Sequence, residues 1–210
     1  LVILPWVFKM LTGPLMDRYQ YPAMGLRRPW VLGAQLGMAL SLCLLTCVDD
    51  PVNQMTLLTA IAVFVNVFAA TQDVAVDGMA IDLVPESEQG RINAFMSCGK
   101  AVGWSASAAL SGAMLGTVGL GTTALLGAAV SFLVFLIFLG VREREGERFL
   151  PWTSGKSVAP QRNDHSLLSV IRSLQEVLWT RSSIVVFLVL FFYGLISGYG
   201  DALMPIAAIQ

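Results

Sequence analysis

Long apolar stretches separated by short polar segments dominate the chain. Four stretches contain no charged residue: 29–48, 51–72, 101–141 and 182–200. A helix needs about 20 mostly apolar residues to cross a bilayer core of about 30 Å, so each stretch is long enough for one span. The third is long enough for two spans, which a glycine-rich turn at 116–123 would separate. This pattern predicts an all-α, polytopic membrane protein.

The first segment, LVILPWVFKMLTGPLM, is a sixth candidate span although it includes Lys9. Composition agrees with a membrane protein, because 56% of the residues are hydrophobic, 13% are charged and the mean hydropathy is +0.71. A soluble domain has a different balance. The chain begins without Met and stops inside a helix-like segment, so we expect it to be about half of a longer protein.

The basic residues indicate the orientation of the spans. Apart from two lysines inside spans, the Lys and Arg residues fall in three connecting segments: 18–28, residue 91 and 142–181. The alternate connections, around 49–53 and 116–122, contain none. By the positive-inside rule the basic segments are cytoplasmic, and the six spans then alternate without conflict.

One long polar connection divides the chain. We predict an N-terminal transmembrane bundle at 1–141, a cytoplasmic linker at 142–182 and the first helix of a C-terminal bundle at 183–210. Within the linker, SLLSVIRSLQEVLWTR places its leucines and isoleucine on one helical face, which predicts an amphipathic helix at the membrane surface. A helical bundle, a long cytoplasmic linker and further helices are typical of a two-bundle secondary transporter.

Charged residues inside the spans indicate function. A charge near the bilayer centre costs on the order of 2.5 to 3.5 kcal/mol on insertion scales, so such residues persist where they are paired, hydrated or needed. The candidates are Lys9, Asp73, Asp77, Lys100 and Asp201. A polar stripe on one helical face, with spacings of 4, 3 and 4, consists of Asn66, Ala70, Asp73 and Asp77.

The depths of these charges predict which of them meet. If residues 73–100 form an antiparallel hairpin centred near residue 87, Asp73 and Lys100 lie at one depth, about 13 Å from the cytoplasmic ends. Lys9 lies about 12 Å deep on its own helix. We therefore predict that charges from three helices share one layer and line a cavity, as a proton relay or an anion-binding site requires. The structural alternative is an ion pair that merely locks two helices together.

Other polar and small residues predict structure. Asp82 lies at the cytoplasmic end of its helix, where a solvated charge is a sufficient explanation. Small residues spaced four apart between Gly99 and Gly116 predict close helix packing. Three cysteines fall inside predicted spans and are expected to be packing residues: Cys43, Cys47 and Cys98. No Cys/His cluster has metal-ligand spacing, so neither a metal nor another cofactor is expected.

Three stretches resemble one protein family. PWVFKMLTGPLMDRY, ATQDVAVDG and YGLISGYGDAL are similar to AmpG-type permeases and the related acetyl-coenzyme A transporters of the major facilitator superfamily. The resemblance covers nearly the whole chain and implies helices 2 to 7 of a twelve-helix fold. It also implies a cytoplasmic gate motif, with QYPAMGL inserted before its arginine pair: Gly13, Asp17, Arg18, Arg27 and Arg28.

The resemblance implies a secondary active transporter that imports an organic solute such as a muropeptide, coupled to protons, by alternating access. Its partners would be a small molecule, protons, the bilayer of a bacterial inner membrane and the rest of the same chain, and no nucleic acid. The predicted substrate or proton pathway comprises Lys9, Asn66, Gln72, Asp73, Asp77, Lys100 and Asp201. Asp201, flanked by glycines and a proline, is expected near the outer mouth of the inter-bundle cavity.

Two alternatives stay open at this point. An acyl-coenzyme A or other organic-anion transporter would have the same fold and the same buried charges. A non-transporting membrane receptor or scaffold belongs to another class and would not need aligned charges in its helices. An enzyme is not expected, because no nucleophile and base pair is evident and no residue is assigned a catalytic role.

Overall fold

The computed structural model describes residues 2–155, 179–181, 183–189, 191, 192 and 195. The chain divides into two units, Leu1–Arg162 and Asn163–Gln210. In the second unit, residues 183–189 are helical. The predicted amphipathic helix and Asp201 lie outside the described residues.

The first unit is built from helices. They are α1 (Leu4–Val7), α2 (Lys9–Arg18), α3 (Arg28–Leu44), α4 (Met55–Leu83) and α5 (Gln89–Gly140), with short 3₁₀ turns at Leu45–Cys47 and Glu86–Glu88. In the described part of the chain, three helical stretches are long and apolar enough to cross a membrane: Arg28–Cys47, Met55–Leu83 and Glu86–Gly140. The predicted all-α class is confirmed.

A glycine divides α5 into two helical segments. Gly119 has φ 79° and ψ 175°, a conformation that residues with a side chain rarely adopt. Residues 103–114 and 123–134 contribute to the wall of one apolar cavity beside α3, so the chain reverses direction between them. The break lies inside the turn predicted at 116–123, and α5 therefore supplies two antiparallel helices.

The helix α4 continues without interruption past its acidic residues. Its 29 residues span about 44 Å at 1.5 Å per residue, which is longer than a bilayer core of about 30 Å. Asp73 and Asp77 therefore lie well inside the helix, and Asp82 lies at its end. The 3₁₀ turn Glu86–Glu88 follows at the position predicted for the centre of the hairpin.

The first predicted span is interrupted. Phe8, with φ −87° and ψ 1°, separates α1 from α2. Pro5 lies in the first turn of α1, where its missing N–H needs no partner, and Pro14 lies inside α2. Both helices pack against α4, so the interruption does not remove them from the bundle.

The centre of the unit is α3, which contacts both α4 and α5. Gln35 Nε2 donates to the carbonyl oxygen of Ser131 at 2.9 Å and to its hydroxyl oxygen at 3.1 Å, which joins α3 to the second segment of α5. On the side facing α4, a Cβ at Gly37 would lie 2.5 Å from the Phe68 ring. Glycine at this position is what permits the ring to approach α3.

Two packing predictions are not met within the described part of the first unit. No atom from beyond the local helix backbone would lie within 4 Å of a Cβ at any of four glycines, so the described residues do not pack closely there: Gly99, Gly103, Gly112 and Gly116. Residues 101–113 are exposed, because this part of α5 has few neighbours within the unit. The three cysteines are free and exposed, and so are not packing residues of this unit.

Candidate functional site

One carboxylate joins three helices in the middle of the unit. In α4, Asp73 Oδ2 lies 3.0 Å from Lys9 Nζ of α2. The other carboxylate oxygen, Asp73 Oδ1, lies 2.7 Å from Lys100 Nζ of α5. The Asp73 side chain is 12% exposed, whereas the lysine side chains are 41% and 52% exposed. The hairpin argument is thus confirmed in its geometry, because all three charges share one layer.

A second carboxylate, that of Asp77, contacts only one of the two lysines. Lys100 Nζ also donates to Asp77 Oδ1 at 3.1 Å, one helical turn along α4. Lys9 has no second carboxylate partner among the described residues, and its ammonium lies 5.6 Å from the centre of the Trp6 ring. We call these four charged residues the central cluster: Lys9, Asp73, Asp77 and Lys100.

Asn66 extends the cluster along the same face of α4. Its Oδ1 accepts a hydrogen bond from Trp6 Nε1 at 2.8 Å, two turns before Asp73. The predicted polar stripe therefore faces α1, α2 and α5. Gln72 is not brought into the cluster, because consecutive helical residues point in different directions. Its Oε1 is buried without a hydrogen-bond partner in the described structure.

A second set of charges lies where several helices end. Arg27 Nη2 contacts Asp17 Oδ1 at 2.6 Å, and Arg27 Nε contacts Asp82 Oδ2 at 3.2 Å. A Cβ at Gly78 would lie 3.0 Å from Arg27 Nε, so glycine leaves room for the arginine side chain. Asp82 is exposed at the end of α4, as predicted, and it is also one of two carboxylates that hold Arg27.

Arg28 is buried and binds backbone oxygens instead of carboxylates. Its Nη1 donates to the carbonyls of Arg148 and Phe149, both at 3.0 Å, and its Nη2 donates to the carbonyl of Leu139 at 2.7 Å. Leu139 lies in the last turn of α5, where carbonyls lack partners within the helix. Arg28 therefore caps the end of α5.

Glu143 caps the other helix, at the start of α3. Its Oε2 accepts hydrogen bonds from the backbone N–H groups of Arg27 and Arg28, both at 3.0 Å. These groups begin α3, and a carboxylate is favourable at a helix N-terminus. Gly25, with φ 105°, makes room for this arrangement, because a Cβ there would lie 2.5 Å from Glu143 Oε2.

The segment after α5 is folded onto the loop before α3. The N–H of Arg148 donates to the carbonyl of Ala23 at 3.0 Å, and Glu147 is 2% exposed. Burial raises the pKa of the Glu147 carboxyl, although the N–H of Arg144 and nearby arginines act in the opposite direction. We call residues 23–28 and 139–149 the clasp.

The family of the chain follows from comparison with known proteins. The family model of the Major Facilitator Superfamily matches residues 1–209. The chain belongs to this superfamily. The resemblance found in its motifs and the predicted fold are thereby confirmed, and the superfamily is one of multi-pass membrane transporters. No solved structure matches the chain.

Two curated relatives are permeases. The anhydromuropeptide permeases of Escherichia coli strain K12 and of Escherichia coli O157:H7 are each 33% identical over 106 residues, which is 50% of this chain and 21% of the relative. An uncharacterized protein of Haemophilus influenzae is 33% identical over 103 residues, which is 47% of this chain and 24% of the relative. The matched region thus covers about a fifth to a quarter of each relative's length.

Within this superfamily member, the predicted gate residues separate into different roles. Arg27 and Asp17 form an ion pair, whereas the Arg28 guanidinium is occupied by carbonyls of its own unit. Gly13 packs on α4 with its Cβ position 3.9 Å from Val74, and the Arg18 guanidinium lies 5.9 Å from the centre of the Tyr19 ring. Arg28 is therefore a structural residue of the bundle in this structure.

Sequence reasoning missed several residues of these two sites. Trp6 could have been found, because it lies three residues before Lys9 and so is expected near the same helical face. Glu143 and Glu147 carried no local signal. The N–H groups that Glu143 binds are 115 and 116 residues away along the chain, so only the fold brings them together.

Proposed function

We propose that the chain is the N-terminal bundle of a proton-coupled importer of muropeptides or related organic solutes in a bacterial inner membrane. The observation that carries this proposal is the position of Asp73 between two lysines from two other helices. A transporter needs charges that exchange partners during its cycle, and Asp73 gives up its ion pairs with Lys9 and Lys100 when it gains a proton, while Lys100 keeps its contact with Asp77.

The location of the central cluster supports the same function. Charged side chains within membrane-spanning helices face the interior of a bundle or a watery cavity and mark ion or substrate paths. The cluster is also open to a ligand, since both lysine side chains are close to half exposed while Asp73 is largely buried. A lysine and carboxylate pair that only locked two helices would not need a third charged helix.

The permease relatives support the choice of solute. Both Escherichia coli relatives are named for anhydromuropeptides, and the shared 106 residues amount to half of this chain. Alternating access would then move the cluster between outward and inward exposure, with solute and proton carried together.

Uptake into proteoliposomes tests the proposal. The full-length protein is reconstituted, an inward proton gradient is imposed, and labelled anhydromuropeptide, sugars and acetyl-coenzyme A are offered separately. We expect uphill uptake of the anhydromuropeptide. In Asp73→Asn, uphill uptake should fall to the level of empty vesicles while solute exchange continues, because asparagine cannot carry the proton.

Glu86→Gln is the matched control, because Glu86 is an exposed acid outside the cluster. It should transport like the unaltered protein. Gradient-driven uptake that survives in Asp73→Asn would show that the central cluster is structural. Uptake of acetyl-coenzyme A alone would favour the organic-anion alternative, and uptake of none of the solutes would favour a receptor or scaffold.

A further inference from the structure

The two lysines of the central cluster differ in what happens when Asp73 is neutralised. Lys100 keeps a carboxylate partner, because it also contacts Asp77 at 3.1 Å. Lys9 loses the only carboxylate that it contacts in the described structure. The same proton therefore leaves one lysine paired and frees the other.

We propose that Lys9 binds a carboxylate of the transported solute when a proton neutralises Asp73. This inference rests on the proposed function, because it assigns the ligand chemistry of the same site. The incoming carboxylate takes the place that Asp73 Oδ2 holds at 3.0 Å from Lys9 Nζ. The proton stays on Asp73 and no covalent bond to the solute forms or breaks.

The charge of the cluster selects a single carboxylate. Lys9, Lys100, Asp73 and Asp77 together carry no net charge when all four are ionised. One proton gives the cluster a charge of plus one, which one carboxylate neutralises. A phosphate dianion would instead give the cluster a net negative charge beside Asp77, which is less favourable than neutrality.

The surroundings of Lys9 suit an organic acid. Its side chain is 41% exposed, so a ligand reaches it without displacing a helix. The Trp6 ring lies beside the ammonium and is held in place by the hydrogen bond from its Nε1 to Asn66. A solute carboxylate at Lys9 would thus have a fixed aromatic surface next to it for its apolar part.

Binding of an acid and its amide tests the inference. The probes are an anhydromuropeptide and the same molecule with its carboxylates converted to amides, and affinity is measured by competition on the full-length protein at acidic pH. The unaltered protein should prefer the acid by about tenfold or more, since a hydrogen bond between charged groups is stronger than a neutral one. Lys9→Gln should lower this preference to near one.

Two further variants keep the test decisive. Lys9→Arg retains the charge and should retain the preference for the acid, which separates loss of charge from misfolding of Lys9→Gln. Lys100→Gln removes a positive charge from the cluster but leaves Lys9 in place, so it should keep part of the preference for the acid that Lys9→Gln loses.

Each outcome has a distinct meaning. Equal binding of acid and amide by the unaltered protein contradicts the proposed role of Lys9. It does not contradict the proposed transport of the solute. A wild-type preference that persists in Lys9→Gln, or that Lys100→Gln abolishes, also overturns it. Binding of neither probe contradicts this inference and the proposed solute together.

Discussion

The central cluster and the clasp both hold buried or half-buried charges, but they neutralise them differently. In the central cluster, each lysine is matched by carboxylates at 2.7 to 3.1 Å. In the clasp, Arg28 is matched by three backbone carbonyls and Glu143 by two backbone N–H groups. A carboxylate changes its charge when it gains a proton, whereas a peptide group does not.

This difference separates a site that switches from one that stays fixed. Peptide dipoles at helix ends give Arg28 and Glu143 partners that no proton removes, so the clasp is suited to hold α3 and α5 together. The carboxylates of the central cluster give Lys9 and Lys100 partners that depend on protonation. Substitutions should therefore affect stability mainly at the clasp and transport mainly at the cluster.

The largest effect on stability is expected for Arg28→Gln. It removes the donors to the carbonyls of Leu139, Arg148 and Phe149, and each buried carbonyl left without a partner is unfavourable. We expect a loss of about 3 kcal/mol in the free energy of unfolding. Thermal unfolding of the purified full-length protein in detergent measures it.

Arg91→Gln is the control for Arg28→Gln. Arg91 makes one exposed contact of 3.7 Å with Glu88, so its loss should change stability by less than about 0.5 kcal/mol. Similar losses in the two variants would show that the clasp does not hold the bundle together.

Gly25→Ala should destabilise the clasp by a smaller amount. Its φ of 105° is unfavourable for alanine, and the new Cβ would lie 2.5 Å from Glu143 Oε2. We expect a loss of about 2 kcal/mol from the two effects together. Gly146→Ala is the matched control, because its φ is 91° but nothing lies within 4 Å of its Cβ position. Equal losses of stability would mean that the contact with Glu143 contributes nothing.

Asp73→Asn tests the central cluster, where we expect a small loss of stability and a large loss of transport. The substitution removes the Asp73 charge from Lys9 and Lys100, whose side chains are close to half exposed and can turn towards water. We therefore expect the free energy of unfolding to fall by less than about 1 kcal/mol. Its uphill uptake should nevertheless be lost. A loss of stability as large as that of Arg28→Gln would make Asp73 a structural residue like those of the clasp.

The smallest effect is expected for Glu147→Gln and depends on pH. Burial raises the pKa of Glu147 in the folded protein above its ordinary value of 4.5, so the folded state holds this proton more tightly than the unfolded state. The contribution of Glu147 to stability is therefore greatest below pH 4.5 and falls as pH rises through the folded-state pKa. Glutamine removes this dependence, and the melting temperature at neutral pH should rise by about 2 °C or less.

Glu145→Gln provides the comparison for Glu147→Gln, because Glu145 is an exposed acid two residues away. Melting temperatures are recorded for both variants across the acidic to neutral range. If Glu147→Gln keeps the pH profile of the unaltered protein, the buried carboxyl does not contribute to it.

Much of the central cluster was predictable from sequence. The spacing of Asn66, Asp73 and Asp77 follows the helical repeat, and the depth of Lys100 follows from counting residues to the turn at 86–88. Both arguments use only the regular geometry of one helix or one hairpin. They hold here because α4 is continuous and the turn lies where it was expected.

The packing of α5 was less predictable. Small residues favour close helix contact only where another helix is present, and the sequence does not state which face has a neighbour. Gly37 packs closely against Phe68, whereas Gly99 and Gly103 face no neighbour within the unit. The amino-acid type is the same, and only the arrangement of helices distinguishes these positions.

The sequence by itself determined the long apolar helices α3, α4 and α5, the family and the common depth of Lys9, Asp73 and Lys100. These properties follow from hydrophobic length, from motifs and from a rise per residue that is the same in every helix. The tertiary structure alone decided which charges are matched by carboxylates and which by peptide groups. Two adjacent arginines, Arg27 and Arg28, have different partners because consecutive helical side chains point in different directions and meet parts of the chain that are distant in sequence.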